Sequence, residues 1–100
     1  MLHVSTRGEA PPLSFTDALL AGLARDGGLY VPERYPPIGR DEIAGFAGQP
    51  YAAVARRVIG ALSDGEIADD ALCRMIGDAY ATFRHPAVCP LVQIDDNLFV

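Results

Sequence analysis

The hundred residues predict a small, mostly helical α+β domain. About four helices are expected, with short strands at the N-terminus, after the first helix and in a C-terminal hairpin. Three observations carry this prediction. Apolar residues recur at helical spacing from Phe15 to Leu23, from Tyr51 to Leu62 and from Leu72 to Phe83. Two β-favouring runs, Leu29-Tyr30-Val31 and Leu91-Val92-Gln93-Ile94, lie between turn signals. Gly27-Gly28, Gly48 and Ser63-Asp64-Gly65 separate the periodic runs.

His3-Val4-Ser5-Thr6 reads as an opening strand leading into a Ser-Thr-Arg-Gly turn, after which Pro11-Pro12 holds the chain extended. Ser14 is a good helix N-cap, and Asp17 stands where a capping-box acid would. Phe15, Ala18, Leu19, Gly22 and Leu23 then form one helical face, and the helix is expected to stop at Asp26-Gly27 on a left-handed glycine. Leu29-Tyr30-Val31 follows as a strand closed by Pro32.

Residues 33–38, with Pro36-Pro37, should be irregular. A short helix is expected from Arg40 to Ala47, with Ile43, Ala44, Phe46 and Ala47 as its apolar contacts. Pro50 suits the first turn of the next helix. There Tyr51, Val54, Ala55, Val58, Ile59 and Leu62 face inward, and Arg56-Arg57 face water. Asp69 and Asp70 open the fourth helix, where carboxylates oppose the positive end of the dipole. Leu72, Met75, Ile76, Ala79, Tyr80 and Phe83 line its face, and it should end before His85-Pro86. Asp95-Asp96-Asn97 between two apolar runs is a hairpin signature. Residues 1–90 are therefore expected to form the domain, and residues 91–100 to begin a sheet that continues in a larger body.

Composition excludes several functions. A net charge of −5 argues against nucleic acid or an acidic membrane as partner. No apolar run approaches the roughly 20 residues of a membrane span. The N-terminus lacks the basic flank and apolar core of a signal peptide, which points to the cytoplasm. All eight basic residues are arginine. Without lysine the chain has no side chain for a Schiff base and no Walker-type phosphate loop.

His3, His85, Cys73 and Cys89 are the soft-ligand candidates, but none of their spacings matches a metal motif. The cysteines read as small hydrophobes rather than a disulfide. Ser5 or Ser14 with His85 and Asp95 makes a hydrolytic triad on paper, without the G-x-S-x-G elbow that would support it. Gly27-Gly28 offers a phosphate cradle, against which the helix-stop reading weighs more, because a helix C-terminus is partly negative. Arg7 beside Ser5, Thr6 and Gly8 is the better anion candidate. The competing reading has Ser5 and Thr6 closing a local turn while Arg7 pairs with a surface carboxylate. Tyr30, Tyr51 and Tyr80 read as core or interface aromatics.

Taken in order, Val4-Ser5-Thr6-Arg7-Gly8, Ser14-Phe15 through Ala18-Leu19-Leu20, Gly22-Leu23-Ala24 and Asp26-Gly27-Gly28-Leu29-Tyr30-Val31-Pro32 resemble the N-terminal domain of threonine synthases. Tyr51-Ala52 with Ala55, Glu66-Ile67, Leu72, Ala79-Tyr80, Phe83 and Pro90-Leu91 complete the series. The resemblance implies an enzyme that converts O-phospho-L-homoserine and water to L-threonine and phosphate with pyridoxal 5'-phosphate. It places the cofactor lysine in a later Phe-Lys-Asp motif of a fold-type-II catalytic body, so this chain is expected to hold no catalytic and no cofactor-binding residue and to be inactive alone. It also makes Ser5, Thr6 and Arg7 candidates for a surface facing the substrate cleft. The alternatives are a threonine-synthase-like phospholyase acting on phosphohomoserine, and a stand-alone helical interaction module.

Overall fold

The computed structural model describes residues 1–100. Strand β1 (His3–Ser5) is the hub of the N-terminal half. It pairs antiparallel with β2 (Tyr30–Pro32) in the register His3↔Pro32, Val4↔Val31, Ser5↔Tyr30. On its other side the extended Pro11-Pro12 run folds back, and His3 and Leu13 exchange backbone hydrogen bonds of 2.8 and 2.9 Å. Helix α1 (Phe15–Ala21) follows directly.

The Ser14 hydroxyl caps α1 by accepting from the Asp17 N–H. The first helical N–H groups have no intrahelical acceptor, and here a remote carboxylate satisfies two of them. Glu66 accepts from the Phe15 N–H at 2.9 Å and the Thr16 N–H at 3.0 Å. Those bonds hold its carboxyl below the usual glutamate range against the opposing effect of burial, and tie the strand half of the domain to the helical half.

Helix α1 does not run to Asp26-Gly27. It ends at Gly22, whose φ of 69° closes the last turn on the Ala18 carbonyl. The apolar period carries on to Leu23, but Gly22, which takes a positive φ without steric cost, has already stopped the helix. Residues 23–29 then form a minimal hairpin in which Leu23 bridges Leu29. Leu19 and Leu23, expected on the buried face, are exposed.

Helix α2 (Arg40–Ala44) is shorter than the predicted Arg40–Ala47 and buries no residue; Ile43 is exposed. Its anchor is polar: Glu42 pairs with Arg57, which is half-buried rather than facing water. Helices α3 (Tyr51–Ser63) and α4 (Asp69–Tyr80) pack on each other; α3 matches expectation, whereas α4 ends at Tyr80, before the Phe83 expected on its face. Asp64, in the left-handed conformation, terminates α3.

Ala55, Leu72 and Ile76 form the buried cluster between α3 and α4, with Tyr51, Ala52, Ile59, Ile67 and Tyr80 around it. Tyr51 and Tyr80 meet edge to face at 4.9 Å, within the range preferred by aromatic pairs. Met75 and Phe83, predicted for the same face, are more than half or about half exposed. An apolar stripe wider than the neighbouring helix leaves its margins in water.

Strands β3 (Gln93–Asp95) and β4 (Leu98–Phe99) form the predicted hairpin, turning at Asn97 with φ 58°. Every residue in both strands is exposed. No helix is long and apolar enough to cross a membrane. Ten of the hundred residues are buried, and the radius of gyration is 16.1 Å. A compact domain of this length has a radius of gyration of about 13 Å, so much of the apolar surface here is uncovered.

Candidate functional site

The two sequence motifs singled out above are bonded to each other. β1 runs into the turn Ser5–Gly8, closed by the Gly8 N–H on the Ser5 carbonyl at 3.0 Å. The 23–29 hairpin turns at Ala24–Gly27, closed by the Gly27 N–H on the Ala24 carbonyl at 2.8 Å. Gly8 and Gly27 supply the positive φ, 79° and 78°, that these turns require. The two turns lie against each other, and Asp26 joins them.

The Asp26 carboxylate accepts from three donors. The Ser5 hydroxyl lies 2.8 Å from both carboxylate oxygens, the Gly28 N–H at 2.9 Å and the Glu9 N–H at 3.0 Å. Ser5, buried itself, also accepts from the Arg7 N–H at 3.2 Å. Thr6 and Leu29 bond twice, through the Thr6 N–H to the Leu29 carbonyl at 2.9 Å and the Leu29 N–H to Thr6 Oγ1 at 3.0 Å. The Arg7 guanidinium donates through Nη1 to the Asp26 carbonyl at 3.0 Å and lies over Gly27.

This geometry decides between the readings of Gly27-Gly28. A phosphate cradle needs free N–H groups. Here the Gly27 N–H is spent on Ala24 and the Gly28 N–H on Asp26. Nor is the pair a helix stop. It is the closing half of a tight turn, with Asp26 making an Asx-type bond to the residue two ahead.

The competing readings of Arg7 each hold in part. Ser5 and Thr6 do close local turns, but Arg7 pairs with a backbone carbonyl rather than a carboxylate. Its positive charge is therefore uncompensated. By contrast Arg56, Arg57 and Arg74 are each paired with a carboxylate, that of Asp69, Glu42 and Asp70 respectively. Arg56 and Arg57 line an open cavity of about 580 Å³. Their charges are already matched, so this cavity is a poor anion site.

The paper triad does not assemble. Ser5 is bonded to Asp26 and Ser14 caps α1, while His85 Nδ1 accepts from the Ala87 N–H and Asp95 accepts from the Asp96 N–H. Cys73 is half-buried and Cys89 is exposed near the Tyr51 hydroxyl, both as free thiols.

The Gly28 N–H is the main influence holding Asp26 below the usual aspartate range. Burial opposes it, and the Ser5 hydroxyl and the Glu9 and Ala10 N–H groups add to it. A carboxyl depressed in the folded state contributes stability that is complete above its unfolded value and is lost as pH falls through the folded value. In an acid titration, the Gly28 amide resonance should therefore shift with a midpoint below that of an ordinary aspartate. A midpoint at or above the ordinary value would remove Asp26 as the hub.

The family described as "Threonine synthase N terminus" matches residues 2–80. Threonine synthase from Pseudomonas aeruginosa is 48% identical over 100 residues, covering 100% of this chain and 21% of that protein. Threonine synthase-like 2 from Homo sapiens is 34% identical over 101 residues, covering 100% of this chain and 21% of its own length. Among solved structures, PLP-bound threonine synthase from Brucella melitensis superimposes with a TM-score of 0.87 at 56% identity, covering 100% of this chain and 22% of that one. The chain thus spans about one fifth of the length of the relatives it matches.

Proposed function

The chain belongs to the threonine synthase N-terminal family, and from that premise we propose that it is the leading domain of an enzyme converting O-phospho-L-homoserine and water to L-threonine and phosphate. The likeness over all hundred residues to a PLP-bound threonine synthase carries this reading. On this reading residues 1–90 are the domain and residues 91–100 are the first strands of a catalytic body in the same polypeptide, in the cytoplasm, where the thiols of Cys73 and Cys89 stay reduced.

Pyridoxal 5'-phosphate does not fit the residues of this chain. There is no lysine, and the one amine, at Met1, is held by Asp64. The cofactor and the bond-making steps therefore belong to the catalytic body, with its lysine. This domain contributes a scaffold and, in Arg7, a charge.

Ser5, Thr6 and Arg7 are proposed to face the substrate cleft. Ser5 and Thr6 spend their hydroxyls fixing the turn, while Arg7 keeps an uncompensated guanidinium anchored through one nitrogen. An anchored guanidinium with donors to spare suits a phosphate ester, since charge-assisted hydrogen bonds to phosphate are strong and directional. The full-length enzyme should release threonine and phosphate in equal amounts, and Arg7→Ala should lower kcat/KM for phosphohomoserine by about tenfold or more. Unchanged kinetics in a folded variant would take Arg7 out of the cleft.

The phospholyase alternative predicts phosphate release without threonine from the same assay. The exposed apolar hairpin of β3 and β4 weighs against a stand-alone module, because a two-stranded ribbon is marginal by itself.

A further inference from the structure

An exposed arginine ordinarily samples many rotamers, because its side chain is long and flexible. Arg7 is exposed, yet it is held at both ends, and both holds trace to one residue. At the backbone end, the Arg7 N–H donates to Ser5 Oγ at 3.2 Å, and that hydroxyl is itself committed to the Asp26 carboxylate at 2.8 Å. At the other end, guanidinium Nη1 donates to the Asp26 carbonyl at 3.0 Å. That carbonyl is fixed in turn, since the Asp26 carboxylate also accepts from the Gly28 N–H at 2.9 Å and the Glu9 N–H at 3.0 Å. Ser5, Ala24 and Gly28 beside this junction are buried, so the hold is more than a loose surface contact.

We infer that Asp26 is the positioning residue of Arg7: it aims the guanidinium at the phosphate of the substrate, acting through that side chain rather than on the substrate itself. The inference rests on the proposed placing of Arg7 in the substrate cleft. Asp26 has the same sign of charge as a phosphate, so on charge alone it weakens anion binding. Its carboxylate bonds neutral donors, one hydroxyl and two backbone amides, while the guanidinium meets its carbonyl. What Asp26 contributes to binding is therefore geometry: a guanidinium restrained before the substrate arrives loses less freedom when it binds. The two contributions have opposite signs. Asp26→Asn removes the adverse charge, which alone would improve phosphate binding. It also puts an amide nitrogen, which only donates, in place of one oxygen that accepts. The Asn oxygen can still serve Gly28, but Ser5 and Glu9 lose an acceptor, and Arg7 is loosened.

The test uses the full-length protein carrying Arg7→Ala, Asp26→Asn or both, assayed with phosphohomoserine. Asp26→Asn should lower kcat/KM by about fivefold or more, chiefly through a higher KM. In the Arg7→Ala background the same change should cost less than about twofold, because the side chain it acts through is gone. Where Arg7→Ala is impaired, an unchanged or improved kcat/KM in Asp26→Asn overturns the positioning role, and so does an equal loss in both backgrounds. A fall in kcat at unchanged KM also overturns it, since that is the mark of fewer folded molecules.

Arginine modification by phenylglyoxal, followed by peptide mapping, reads the restraint on Arg7 without reference to activity. Arg7 should react at least about threefold faster in Asp26→Asn than in the unsubstituted protein, a factor that the loss of one ordinary hydrogen bond allows. Exposed Arg40 serves as the constant reference. An unchanged Arg7 rate overturns the inference. Faster modification of Arg7, in an enzyme whose kinetics Arg7→Ala leaves untouched, supports the positioning and removes Arg7 from the cleft, so the two failures are told apart. If Asp26→Asn does not fold, Ser5→Ala, which cuts the hold on the Arg7 N–H and leaves the Asp26 carboxylate with Gly28 and Glu9, is read by the same criteria in both assays.

Discussion

Gly28→Ala is expected to dismantle the paired turns and to lower the stability of the domain by about 2–4 kcal/mol. A Cβ at position 28 would stand 2.2 Å from Ser5 Oγ, 3.0 Å from Asp26 Oδ1 and 3.1 Å from the Arg7 nitrogen. The hydroxyl cannot simply swing aside. It is fixed by the Asp26 carboxylate on one side and the Arg7 N–H on the other, so moving it strands a part-buried donor and a charged acceptor together. The comparison is Gly39→Ala, where an added Cβ meets nothing within 4 Å and a change of no more than about 0.5 kcal/mol is expected. Urea unfolding of the 100-residue chain reads both. Similar midpoints for the two variants would mean that the turns are not locked as described.

Leu72→Ala should cost as much or more, about 2–5 kcal/mol. Leu72 is 4% exposed at the centre of the α3–α4 contact, and its Cδ2 lies 3.6 Å from where a Cβ on Gly60 would be. Truncating it leaves a space opposite Gly60, which has no side chain to fill it. A domain of this length is stable by only about 5–15 kcal/mol in total, so the loss is a large fraction of the whole. Met75 sits on the same predicted face but is 58% exposed, and Met75→Ala should move the midpoint little. Equal losses for the two variants would contradict the packing.

The contrast between Leu72 and Met75 marks what sequence reading can and cannot resolve. Helical spacing found α3 and α4 because their apolar residues recur over several turns. It could not say how wide a stripe the partner helix covers, which is a property of the pair. For α1 the same periodicity overran the true end, since Leu23 keeps the rhythm while Gly22 has already turned the backbone. The orientation of Arg57 was misread for a similar reason: its carboxylate partner, Glu42, sits fifteen residues away on another helix.

The site was legible as two segments and not as one. Ser5-Thr6-Arg7-Gly8 and Asp26-Gly27-Gly28 each stood out, yet nothing local indicates that Ser5 is the donor for Asp26 across twenty-one residues. The missed signal was Asp26 itself. An aspartate two residues before a glycine is an Asx-turn pattern, and a carboxylate committed to such a turn is placed to collect further donors. His3 was weighed only as a metal ligand. Its burial depends on Leu13 and Pro32 flanking β1, a pairing that follows from tertiary register.

On the proposed reading this domain scaffolds a reaction whose cofactor chemistry is done by a lysine elsewhere in the polypeptide. Borohydride reduction of the full-length enzyme loaded with pyridoxal 5'-phosphate, followed by peptide mapping, tests it most directly. A single reduced adduct is expected on a lysine outside Met1–Val100, with this stretch unlabelled. A stoichiometric adduct within these hundred residues, or an active enzyme with no lysine adduct at all, would contradict it.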